Sequence, residues 1–65
     1  MTRKKLNKMD LVNIELLKLI GEIKITRLDA KTSMRKRMSS LFKLAKMDIL
    51  RFEFTEDDSV IFSMV

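Results

Sequence analysis

Apolar residues near the start of the chain recur at helical spacing, with Val12, Leu16, Leu19, Ile20 and Ile23 falling on one face. The pattern predicts a first helix from about Lys8 or Asp10 to Ile20, opened by Asn7 or Asp10 as N-cap and ended by Gly21. The Val12 to Ile23 face is assigned to the core. Leu11, Ile14 and Leu17 lie on another side, so the helix carries more apolar surface than one thin domain covers. That excess predicts a homodimer with Leu11, Ile14 and Leu17 at or near its interface.

Glu22 to Ile25 alternates charged and apolar residues and predicts a short strand. Thr26-x-x-Asp29 then resembles a capping box and predicts a short second helix from Arg27 to about Lys31. Ser33 is a good cap for a third helix from Met34 to about Met47. Met34, Met38, Leu41, Phe42 and Ala45 form its apolar stripe. After Asp48 the period changes to two. Leu50, Phe52 and Phe54, then Val60, Phe62 and Met64, read as the inward positions of two strands joined by the acidic loop Thr55 to Ser59. On this reading all four phenylalanines are core residues.

The chain divides into a basic arm, residues 1–7, and one domain, residues 8–65, with no proline and no internal linker. A chain of 65 residues buries only about 60% of its unfolded surface, and pairing with a second copy is a common remedy. With no Cys and no His, the usual nucleophile, general base and zinc ligands are missing, so neither catalysis nor a metal or other cofactor is expected. Glu56, Asp57 and Asp58 lack the spaced ligands and glycine of a calcium loop. No stretch has the apolar length of a membrane span or the apolar core of a secretory signal, and a cytoplasmic location is expected.

Fourteen Lys and Arg against nine Asp and Glu give a net charge of +5, which favours polyanions. The charge is concentrated. From Lys31 to Lys46 there are six basic residues and no acid. On the third helix Arg35, Lys36, Ser39, Lys43 and Lys46 fall opposite the apolar stripe. Arg and Lys there suit phosphates and guanine edges, and Ser suits several base edges.

The order helix, short strand, short helix, turn, long helix and two-stranded hairpin resembles the winged helix-turn-helix family over about Asp10 to Val65. The resemblance implies an α+β fold of three helices with a C-terminal β-hairpin wing, a groove-entering third helix, and a dimeric regulator of transcription bound to double-stranded DNA. It implies groove-facing roles for Ser33, Met34, Arg35, Lys36, Arg37, Ser39, Ser40 and Lys43. Lys46, Lys31 and Arg27 join these as candidate DNA contacts on charge and position. Arg35 and Lys36 are the candidates for base contacts, Lys43 and Lys46 for phosphates. The acidic tip Glu56-Asp57-Asp58 departs from the basic wing of many members, so the wing is expected to lie away from phosphate. A protein-interaction module using the apolar first helix and acidic wing is the alternative. Single-strand or RNA binding is disfavoured because no stacking aromatic is expected at the surface.

Overall fold

The computed structural model describes residues 5–32 and 34–65. Helix α1 spans Lys8–Ile20, strand β1 Glu22–Ile25, helix α2 Arg35–Lys46, strand β2 Leu50–Phe54 and strand β3 Val60–Met64. Asn7 caps α1 in a reciprocal box: its Oδ1 accepts from the amide of Asp10 at 2.9 Å, and its own amide donates to Asp10 Oδ2 at 2.8 Å. Gly21 ends the helix at φ +89°, a conformation that costs glycine little, and its N–H donates to Leu17 O.

The three-helix arrangement with a separate wing is not the one found. The described residues form two α-helices and one three-stranded antiparallel sheet, in the order β1-β3-β2. Thr26 and Asp29 do exchange the two bonds of a capping box, at 3.0 and 3.1 Å. The box opens only a single 3-10 turn, Asp29–Lys31. Thr32 ends it in extended backbone, leaving too few residues for an α-helix to propagate. The C-terminal hairpin does not stand apart either. β3 is the central strand, pairing with β1 as well as β2, with Phe62 opposite both Ile23 and Phe52.

One face of the sheet carries Ile23, Ile25, Leu50, Val60 and Phe62 against the helices, which add Leu17, Leu41 and Leu44 to a continuous core. The rings of Phe42 and Phe62 meet edge to face at 4.9 Å. α2 buries a wider arc than its stripe indicates, because it packs against both α1 and the sheet. Leu44, outside the stripe, is fully buried, while Met34, Met38, Phe42 and Ala45 are partly covered.

α1 is rotated relative to the sequence reading. Its buried positions are Asp10, Asn13 and Leu17, while Val12, Leu19 and Ile20 of the expected core face are exposed. Leu17, expected at a dimer interface, is a core residue at 1% exposure. Two of the four phenylalanines also leave the core: on the sheet-edge strand β2, Phe52 is 46% and Phe54 65% exposed. Phe54 leans edge-on against Phe52, and Phe52 against Phe42.

Truncating Phe62 to Ala is expected to cost about 3–5 kcal/mol in urea unfolding. Phe54→Ala should cost about 1 kcal/mol, the order of one aromatic pair. Equal losses would contradict this division between core and edge.

Candidate nucleic-acid interface

α2 opens unusually for a helix. Its first turn holds Arg35, Lys36 and Arg37 and no acid, at the end where the peptide dipoles already concentrate positive charge. Each cation there is disfavoured by roughly 0.3–1 kcal/mol in the isolated chain, and an anion at this end relieves the repulsion. Met34 occupies the N-cap position without a side-chain hydrogen bond to the helix. The expected cap and contact Ser33 lies outside the described residues.

Arg35, Lys36, Ser39 and Lys46 are exposed. At about 100° per residue, Arg35, Ser39 and Lys46 fall near one line along the helix, with Lys36 beside them. Thr32, Arg35, Lys36 and Ser39 border one open depression at the N-terminal half. Lys31 is exposed on the 3-10 turn that packs against α2.

The remaining candidates are occupied otherwise. Arg37 is partly buried. Arg27 reaches the hairpin tip and pairs with Asp58 at 3.5 Å, with both side chains exposed and the pair correspondingly weak. Asp57 pairs with Lys24 at 3.8 Å. Of the expected dimer residues, Leu11 is exposed, Ile14 is partly buried against the core and Leu17 is inside it.

Ser40 and Lys43 belong to a polar cluster between the helices, so their assignment to the DNA-facing side is corrected. Ser40 is buried and donates to Asp10 Oδ1 at 2.6 Å. Asn13 Nδ2 donates to the Ser40 hydroxyl at 2.9 Å. Lys43 Nζ donates to Asp10 Oδ2 at 2.6 Å and to the carbonyl of Lys5 at 2.7 Å. Asp10 has no exposed surface and Lys43 keeps 27% of its side chain exposed, so the pair closes the outer edge of the helix contact. Burial, the largest single influence, pushes the Asp10 carboxyl up. Hydrogen bonds from Lys43, Ser40 and the Asn7 amide, with the Lys43 charge, outweigh it and hold the group below its ordinary 3.8.

The sequence signal for this cluster is Asp10 and Asn13, three residues apart on a helix otherwise rich in apolar residues. Among the described residues the buried Asn13 Oδ1 finds no hydrogen-bond partner, so the cluster is not fully satisfied there.

No protein-family model matches the chain, and no curated protein or solved structure matches it. The winged helix-turn-helix resemblance therefore gains no support from a relative, and its three-helix expectation differs from the fold. Among the described residues no cluster of His, Cys, Asp or Glu is placed to hold a metal ion, and no helix is long and apolar enough to cross a membrane.

Asp10 binds its proton less readily in the folded chain, so it stabilises the fold above its unfolded pKa, and that contribution is lost as pH falls through the folded value. Lys43→Met leaves the carboxylate buried without its cation and is expected to cost about 1.5–3 kcal/mol at neutral pH. In urea unfolding repeated at acid pH, where protonation relieves the unpaired carboxylate, the gap to wild type should narrow. An equal loss at both pH values would show that Lys43 acts through packing alone.

Proposed function

We propose that the chain binds double-stranded DNA through the exposed face of α2. The observation that carries this reading is the helix's acid-free cationic surface, whose first turn adds three cations to the positive end of the dipole. This charge lowers the stability of the free protein, and a phosphate backbone offsets that cost. An α-helix fits the major groove, and Arg35, Lys36 and Ser39 are donors suited to base edges or phosphates, with Lys46 placed for phosphate. Lys43 is left out of the proposed contacts, because its ammonium is already paired with Asp10. The acidic hairpin tip, tied to Lys24 and Arg27, is not a phosphate contact.

In a salt titration on duplex DNA, Lys46→Ala should weaken every sequence similarly and lower the salt slope by about one unit. Arg35→Ala is expected to cost about 1–3 kcal/mol and to relax preference at one base pair if Arg35 reads a base. Unchanged affinity and salt slope in a folded Arg35→Ala, Lys36→Ala double variant would refute the reading and favour a protein partner.

A second reading, binding of single strands, is favoured by the exposure of Phe52 and Phe54, which supplies the stacking surface not expected from the sequence. Phe42 links this aromatic edge to α2, so unpaired bases could stack beside the cations. Stacking is worth about 1–3 kcal/mol per base, so Phe54→Ala should weaken single-strand binding and leave duplex binding intact if this reading holds. Equal behaviour of wild type and Phe54→Ala on single strands would exclude it.

A further inference from the structure

The outward face of α1 is an apolar feature that the nucleic-acid reading does not use. Leu11, Val12 and Leu19 are exposed on it, Leu19 at 82%, with Leu16 at its margin. Two charges, Lys8 and Glu15, punctuate the row. They are seven residues apart, so at about 100° per residue they lie almost in line along the helix, between the apolar flanks. Glu15 has an intrachain partner in Lys18 at 3.6 Å, but both side chains are more than half exposed, so this pair is worth little.

We propose that this face binds a second copy of the chain, with the two α1 helices antiparallel. The argument for a second copy is charge complementarity of the face with itself. A two-fold axis passing between Leu11 and Val12 sets Lys8 of each copy opposite Glu15 of the other. The same axis brings Leu11 against Leu11 and Val12 against Val12. Leu19 then lies beyond the first residue of the second copy's α1, at the end of the contact. A register centred on Glu15 brings Leu11 level with Leu19 of the other copy but sets Glu15 against Glu15, and like charges brought together select against it. A parallel pair fails as well, because it sets each charge beside its own copy.

This interface differs from the one expected from sequence. It keeps Leu11, replaces Ile14 and Leu17 with Val12, and leaves the core undisturbed. It also leaves the exposed side of α2 free, so it does not depend on the nucleic-acid reading.

The test is sedimentation equilibrium of the full chain at micromolar concentration, with circular dichroism to confirm folding. Wild type should weigh twice the 7.7 kDa of one chain. Lys8→Glu alone and Glu15→Lys alone each set like charges opposite one another and should weaken the dimer by about tenfold or more. The Lys8→Glu, Glu15→Lys double variant restores the opposite-charge pairs and should recover most of the wild-type affinity. Leu11→Glu, at an exposed position beside the axis, sets two carboxylates against each other and should also weaken it. A monomeric wild type overturns the proposal. So does a dimer indifferent to Leu11→Glu, or a double variant as weak as the sum of its singles.

Discussion

The fold turns on one buried carboxylate. Asp10 is removed from water at the contact of the two helices, a cost of several kcal/mol for an unpaired ion. It is tolerated because the Lys43 ammonium, the Ser40 hydroxyl and the Asn7 amide all converge on it. Those partners come from the cap of α1 and from α2, so satisfying Asp10 fixes the rotation of α1, the position of α2 and the start of the first helix together. An apolar contact tolerates sliding, whereas a buried charge with three donors does not.

The same interaction sorts the cations of α2. Lys43 turns toward Asp10 and is neutralised, and Ser40 turns inward with it. Arg35, Lys36 and Lys46 remain on the exposed side with Ser39 among them. Rotating α1 to bury Asp10 and Asn13 also turns Leu11, Val12 and Leu19 outward. The cationic face and the apolar face are thus two consequences of one polar contact, and they lie on different helices.

The strands, the hairpin loop and the two long helices are legible in the sequence because their periodicities differ and their ends carry strong signals, Asn7 and Gly21 above all. The rotation of α1 is not. Two of its sides are apolar, and hydrophobic periodicity has no means of preferring one when the deciding partner, Ser40, is distant in sequence. The 3-10 turn differs from the expected helix because a capping box marks where a helix can begin and does not set its length. Alternation puts Phe52 and Phe54 on one face of a strand but does not say whether a helix covers that face; at the edge of a sheet it covers them only in part. On α2 the exposed cations are legible from the acid-free run, whereas the diversion of Lys43 depends on the burial of Asp10, which no local pattern signals.

The central claim is that α2 presents its outer face to a nucleic-acid backbone while α1 does not. Backbone amide chemical shifts recorded while a short DNA duplex is added would map the contact residue by residue. The account predicts shifts concentrated between Thr32 and Lys46, largest around Arg35, Lys36 and Ser39, with Leu11 to Leu19 unmoved. Shifts centred on α1, or none at any ratio of duplex to protein in low salt, would contradict it.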